Sequence, residues 1–151
     1  MGELKHKKLK VWQTARSLVK RIYEETNQFP DSERFGLMNQ LRRAIVSVPS
    51  NIAEGSSRET SVEFIRFLVI ARGSLSEVDT QLTLAEDLAY MVYSDALRND
   101  IDSLSRQINR LISHLRQKDS SSLPSKLPHH PTPKPLNIQT SKLLNLPPNE
   151  H

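Results

Sequence analysis

Two long stretches of this sequence carry apolar residues at spacings that alternate between three and four. A repeat of 3.5 residues keeps one apolar side of an α-helix turned toward nearly parallel neighbours. Short connections make consecutive helices antiparallel. The sequence therefore predicts an all-α fold, an antiparallel up-down-up-down four-helix bundle. The two seams are Phe64, Leu68, Ala71, Leu75, Val78, Leu82, Ala85, Ala89 and Leu97, Ile101, Leu104, Ile108, Leu111, Leu115.

The two remaining helices are predicted upstream of these seams. Helix 1 is expected over residues 9–26, and helix 2 is expected to start after a cap at Asp31 or Ser32 and to end near Glu54. Pro49 lies inside helix 2, where it either opens a kink for a partner or bends the helix along the bundle. The apolar stripes are Trp12, Ala15, Val19, Ile22 with Val11 and Leu18 beside them, and Met38, Leu41, Ile45, Val48, Ile52.

Helices 3 and 4 have recognisable start signals. Thr60 and Glu63 form a capping-box pattern at the start of helix 3, which is expected to run from Ser61 to about Tyr90. Ser94 is the expected cap of helix 4. Helix 3 also carries a second apolar set, which indicates either burial between copies of the chain or one wide stripe serving the monomer. That set consists of Phe67, Ile70, Leu84 and Leu88.

The composition divides the chain into three parts. We predict a basic N-terminal segment over 1–8, the bundle over 9–118, and a disordered tail over 119–151, which holds seven of the nine prolines. There is no cysteine, so a reducing compartment is expected. Because there is neither an apolar stretch long enough to span a bilayer nor a secretory signal, we expect a cytoplasmic protein with no membrane contact.

Charge is distributed unevenly along the chain. Residues 1–21 carry seven basic side chains against one acid, residues 75–102 carry seven acids against Arg98, and residues 103–118 carry four basic side chains. Such segregation favours binding of a polyanion or contact between copies of the chain. Alternatively, the opposite charges meet within one bundle and serve only as solvated helix faces.

A basic ridge is predicted along helix 4. Arg106, Arg110, His114 and Lys118 recur every four residues and therefore lie along one edge of the helix. A row of cations suits contacts with RNA or DNA phosphates that are indifferent to sequence, although a solvated face explains it equally well. No aromatic platform for stacking single strands is apparent. The candidate nucleic-acid-binding residues are Lys7, Lys8, Lys10, Arg42, Arg43, Arg106, Arg110 and Lys118.

Catalytic motifs are not found in the sequence. There is no zinc-protease motif, glycine-rich phosphate loop, nucleophile elbow or repeated Glu-x-x-His pair. The histidines at positions 6 and 114 are isolated from other metal-binding residue types. We therefore expect a protein that is not an enzyme and that has no cofactor and no bound metal.

Several short segments resemble one known family. They are Phe35-Gly36-Leu37, the run from Gln40 to Ala44, the run from Pro49 to Gly55, and the run from Ala71 to Leu75. Over roughly Leu9 to Leu115 the chain resembles the small four-helix bundle proteins first noticed as reading frames within intervening sequences of large-subunit ribosomal RNA genes.

The resemblance implies a compact bundle that assembles as a homo-oligomer, with a pentamer as the expected ring. Relatives of the family include accessory proteins of diversity-generating retroelements, which bind a reverse transcriptase and its template RNA through a basic ring. The resemblance thus favours a non-enzymatic nucleic-acid-binding accessory protein that assists a reverse transcriptase. The alternative is a protein-interaction scaffold of the ribosomal RNA intervening-sequence type with no nucleic-acid role.

Overall fold

The computed structural model describes residues 4–122, which form four α-helices and contain no β-strand. The helices are α1 (Lys10–Glu25), α2 (Leu37–Ser56), α3 (Ser61–Asp87) and α4 (Asp95–Ser122). Short 3-10 helices lie at Lys5–Lys8, Thr26–Gln28 and Asp31–Glu33. The all-α prediction is confirmed. Residues 119–122, assigned to the tail by composition, continue α4, and the remainder of the predicted disordered tail lies outside the described residues.

Each helix packs against its neighbours in the chain, and the first helix also packs against the last. α1 contacts α2 and α4, while α3 contacts α2 and α4. Polar pairs link these neighbours, such as Ser47 with Ser74 at 2.9 Å between hydroxyl oxygens. The Arg72 guanidinium donates to the Asn109 amide oxygen at 3.0 Å, which joins α3 to α4.

An aliphatic core fills the space between the helices. Most of its side chains come from the predicted seams and stripes, and nine leucine and isoleucine side chains in the described range are less than 2% exposed. Burying each such side chain stabilises the fold by about 1.5–3 kcal/mol. They are Ile22, Leu41, Ile45, Ile52, Leu68, Leu82, Leu97, Leu104 and Ile108.

Two of the predicted stripes are displaced by a fraction of a turn. In α1 the buried positions are Val11, Ala15, Leu18 and Ile22, while Trp12 lies at the margin of the core. Near the end of α4, Ile112 is buried, whereas the predicted Leu111 and Leu115 are only partly buried. In both helices the neighbours on either side decide which edge of a wide apolar stripe is covered.

The start of α2 differs from the prediction that Asp31 or Ser32 caps it. Residues Asp31–Glu33 form a separate 3-10 turn, and α2 begins only at Leu37. The Glu33 carboxylate accepts a hydrogen bond from the Leu37 backbone N–H at 2.9 Å. An acidic side chain therefore supplies the cap from four residues upstream, where it also complements the positive end of the helix dipole.

The predicted caps of α3 and α4 are both present. The Glu63 N–H donates to the Thr60 hydroxyl at 3.2 Å, and the Leu97 N–H donates to the Ser94 hydroxyl at 3.3 Å. The predicted end of α3 at Tyr90 is wrong by three residues, because Ala89 adopts a left-handed conformation with φ 57°. The Tyr90 N–H bonds to the Ala85 carbonyl and the Ala89 N–H to the Glu86 carbonyl, which is a Schellman ending.

α2 runs without interruption through Pro49 and packs closely on α3 at its end. Gly55 is buried there, and a Cβ atom at this position would lie 2.7 Å from Phe64 Cδ2 and 2.8 Å from Phe67 Cβ. Only glycine therefore allows this approach of the two helices. Of the second apolar set, Ile70, Leu84 and Leu88 are about half exposed, so the part of the chain that the structure describes leaves them outside its core.

Candidate nucleic-acid interface

The cations of α4 and the N-terminal segment extend into solvent. The side chains of Lys7, Lys8, Lys10, Arg106 and Arg110 are all exposed. Within residues 4–122, none of these five side chains forms an ion pair or a hydrogen bond. Five cations are therefore available to an external anion.

The packing of α1 on α4 brings three of these cations to one surface. The Thr14 hydroxyl lies 3.2 Å from the Gln107 side-chain oxygen, and an ion pair joins Arg21 to Asp100. Positions earlier in α1 therefore lie beside positions later in α4. Lys10 precedes Thr14 by one turn, while Arg106 and Arg110 flank the level of Gln107. We call Lys10, Arg106 and Arg110 the α1–α4 basic surface.

Two further predicted residues, Lys118 and Arg43, lie in different places relative to this surface. Lys118 is exposed on the same helix, about 12 Å beyond Arg110 at 1.5 Å per residue. Arg43 lies elsewhere, in a polar groove between α2 and α3 that is also lined by Glu77 and Gln81. The structure thus gathers some of the predicted residues and places Arg43 apart from them.

Arg42 is engaged within the fold. Its Nε atom donates to the buried Thr26 hydroxyl at 2.9 Å, and its Nη2 atom donates to the Asn27 amide oxygen at 3.0 Å. The guanidinium also lies 4.6 Å from the centre of the Tyr23 ring. These contacts join α2 to the end of α1, so Arg42 has a structural role and we leave it out of the interface.

Some of the acidic side chains in residues 75–102 form ion pairs within the fold. Glu86 pairs with Arg98 at 2.6 Å, and Asp100 pairs with Arg21 of the basic N-terminal stretch. The expectation that opposite charges meet within the bundle therefore holds for Arg21. It does not extend to the α1–α4 basic surface, whose three cations have no carboxylate partner among residues 4–122.

Two aromatic side chains stand where the sequence suggested no stacking surface. Phe35 is 87% exposed, with the Arg34 guanidinium 6.0 Å from its ring centre. Trp12 is half-buried; its ring centre lies 4.9 Å from that of His6 and 5.9 Å from the Arg16 guanidinium. In the sequence, Phe35 lies outside the predicted apolar stripes, whereas Trp12 fits the apolar stripe of helix 1 and is therefore expected in the core.

A metal site requires clustered ligands, and a membrane-spanning helix requires a long apolar stretch. Within residues 4–122, no three His, Asp or Glu side chains gather closely enough to hold a metal ion. The same range contains no helix that combines the length and apolar character needed to cross a membrane. The described surface carries exposed cations that have no internal partner, together with one exposed and one half-buried aromatic ring.

Comparison with known proteins places the chain in one family. No curated protein shows a significant match to it. The sequence model of the 23S rRNA-intervening sequence protein family matches residues 7–110, which is more than half of the 151 residues and includes α1, α2, α3 and the first part of α4. The matched range contains all three residues of the α1–α4 basic surface, and the chain belongs to the 23S rRNA-intervening sequence protein family.

Proposed function

We propose that this protein is a non-enzymatic accessory protein that binds RNA or DNA phosphates through the α1–α4 basic surface and through Lys7 and Lys8 of the N-terminal segment. The observation that carries the proposal is the set of exposed cations on α1, α4 and the N-terminal segment that have no internal partner among residues 4–122. A family description that refers to ribosomal RNA fits a nucleic-acid partner.

The physical basis is electrostatic. Arg106 and Arg110 are one helical turn apart, about 6 Å along the axis, which suits neighbouring phosphates on one strand. Each phosphate that a cation neutralises releases counterions, so affinity falls steeply with salt. Contacts of this kind fix the position of the strand and carry no sequence information. The proposed binding is therefore indifferent to base sequence.

The test compares two double variants with the same change of charge. Arg106→Ala with Arg110→Ala is expected to weaken binding of a labelled duplex about tenfold or more and to flatten the dependence of log affinity on log salt by about two contacts. Arg34→Ala with Arg66→Ala removes two exposed arginines from other surfaces and serves as the control. Equal losses in both variants, or no binding of the wild type at low salt, would overturn the proposal.

Assembly into a homo-oligomer belongs to the same proposal. Exposed apolar side chains on one side of α3 support it, because burying such a face against another copy of the chain removes apolar surface from water and is favourable. We expect a pentamer, as the resemblance described above implies, and ring symmetry would bring the basic surface of every copy onto one assembly. The exposed apolar side chains of this α3 face are Val62, Val69, Ile70, Leu84 and Leu88. Light scattering tests the assembly.

A stable monomer in that measurement would leave the α3 face for a different protein, which is the scaffold function. A reverse transcriptase is the protein partner that the proposed role would serve, and its binding can be tested by co-purification with the oligomer. Binding of a protein partner, with no binding of RNA or duplex DNA, would favour the scaffold function.

We also infer that the helices run up-down-up-down. The order of the cross-helix contacts supports this topology. Arg21 pairs with Asp100 and Thr14 with Gln107, so residue numbers fall along α1 as they rise along α4. The Gly55 contact with Phe64 places the end of α2 beside the start of α3.

A further inference from the structure

An apolar groove lies between α1 and α2, beside the N-terminal 3-10 helix. Its volume is about 390 Å³. The apolar part of its lining comes from Trp12 and Val19 of α1 and from Val46, Pro49 and Ala53 of α2. Val46, which lines the groove, is 39% exposed, so this apolar surface is open to solvent.

The polar groups that line the groove include no carboxylate. The Arg16 guanidinium is the charged side chain of the lining, and the His6 imidazole lies in the same lining. The His6 ring lies 4.9 Å from the Trp12 ring at an angle of 60°, and the Arg16 guanidinium lies 5.9 Å from it. The groove therefore combines an aromatic ring, two nitrogen-rich planar groups and an apolar floor.

The N-terminal segment that supplies His6 to the groove also carries several lysines. The 3-10 helix Lys5–Lys8 packs against both α1 and α2. The Gln13 side-chain amide donates to the Lys7 carbonyl at 2.8 Å, which ties the segment to α1. Lys7 and Lys8 follow His6 in this helix, and their side chains are exposed and do not line the groove.

We propose that this groove binds one unpaired base of a single-stranded nucleic acid, whose neighbouring phosphates are bound by Lys7 and Lys8. The inference rests on the proposed function, since it adds a base pocket to the phosphate-binding cations. Stacking of a base on an aromatic ring is tolerant of base identity, because every base has a π-face, and each stacked base adds to the binding free energy. A flat base with a negatively charged backbone matches a groove whose lining contains Arg16 and no acid and whose neighbouring segment carries exposed lysines.

A peptide with apolar side chains is the competing occupant of any apolar groove. Such a peptide would need acidic flanks to lie against Arg16 and the lysines of the N-terminal segment. The groove is small, and its one aromatic indole ring has the Arg16 guanidinium beside it. These features favour a nucleotide over a helix that needs a continuous apolar seam.

Trp12 reports directly on the groove, because it is the only tryptophan of the chain. A short single-stranded RNA is expected to quench its fluorescence at concentrations where anisotropy of a labelled strand shows binding. An abasic strand of equal length has the same phosphates and no bases, so it is expected to leave the emission unchanged. A duplex is expected to bind through the α1–α4 basic surface without quenching. Binding of the single strand with unchanged Trp12 emission overturns the inference.

A pair of matched variants tests the groove without altering Trp12. Val46→Glu puts a carboxylate on the groove wall and is expected to weaken single-strand binding about tenfold or more relative to duplex binding. Val92→Glu makes the same change at an exposed valine in the turn between α3 and α4, away from both the groove and the apolar α3 face, and is the control. If both variants lose single-strand affinity equally, the loss reflects net charge and the inference fails.

The outcomes separate the groove from the wider proposal. Loss of duplex binding in the variant with Arg106→Ala and Arg110→Ala, together with an unchanged Val46→Glu variant, keeps the proposed function and removes the base pocket. No binding of either nucleic acid removes both. Quenching of Trp12 by an acidic peptide containing leucines, with none by the RNA, assigns the groove to a protein partner and overturns the inference.

Discussion

The Tyr93 hydroxyl donates a hydrogen bond to the Asp79 carboxylate at 2.7 Å, which ties the turn after α3 back to the middle of that helix. Tyr93 is buried, and its ring lies 3.8 Å from the Arg98 guanidinium. Its backbone N–H donates to Glu86 at 3.0 Å. These contacts fix the angle at which the chain enters α4, and they were not foreseen from the seams alone.

Replacing Tyr93 with Phe is expected to lower the free energy of unfolding by about 1 kcal/mol at neutral pH, because the hydrogen bond to Asp79 is lost. Burial, reinforced by that hydrogen bond, raises the pKa of Tyr93 above its ordinary value. In the unfolded chain the phenol ionises near pH 10, while in the fold it stays protonated. The stability of the wild type therefore falls as pH rises above about 10, and the variant lacks this contribution.

Urea denaturation at pH 7 and at about pH 10.5 measures this difference, with Tyr23→Phe as the control. Tyr23 is 40% exposed, and its hydroxyl forms no hydrogen bond within residues 4–122. The wild type and the Tyr93→Phe variant should converge at high pH. Parallel loss of stability in the two proteins would contradict the assignment.

Two glycine substitutions on packed and open sides of the bundle should have opposite effects. Gly55→Ala is expected to destabilise the fold by about 1–3 kcal/mol, because its Cβ would overlap Phe64 and Phe67. Gly73→Ala is expected to stabilise α3 by about 1 kcal/mol, since a Cβ there meets nothing within 4 Å. Thermal unfolding of both variants under the same conditions measures the contrast. A stabilised Gly55→Ala variant would show that α2 and α3 can separate freely at that point.

The left-handed residue that ends α3 provides a third prediction. Ala89 has φ 57°, a region that costs a residue with a Cβ about 1–2 kcal/mol relative to glycine. Ala89→Gly is therefore expected to raise the melting temperature by about 4 °C. The control is Ala96→Gly, an exposed position within α4, where the same change should lower stability. A lower melting temperature for Ala89→Gly would contradict the observed helix ending.

Arg42 should affect stability more than nucleic-acid binding. Arg42→Ala removes the donor to the buried Thr26 hydroxyl and the contact with Asn27, with an expected cost of about 1–3 kcal/mol. Arg42→Lys should recover little, because an ammonium group cannot reproduce the planar fork of a guanidinium. Duplex affinity of the folded variant should stay close to that of the wild type. A large loss of affinity with unchanged stability would return Arg42 to the interface.

Local sequence determined most of the secondary structure. The seam from Leu68 to Ala85 and the caps at Thr60 and Ser94 were found correctly, because helix periodicity and capping depend on residues within a few positions of one another. The exposed cations of α4 were found for the same reason, since a spacing of four places Arg106 and Arg110 on one edge.

Tertiary structure decided what depends on residues far apart in the chain. Whether Trp12 is covered, whether Arg42 is free, and whether Lys10 shares a surface with Arg106 are all set by the neighbouring helix, and a single helical pattern carries no information about it. The start of α2 belongs to the same group, because the carboxylate of Glu33 both caps Leu37 and accepts a hydrogen bond from the Tyr90 hydroxyl beyond α3. The sequence by itself thus determined which segments are helical and where their charges lie, while packing determined which side chains remain available to a partner.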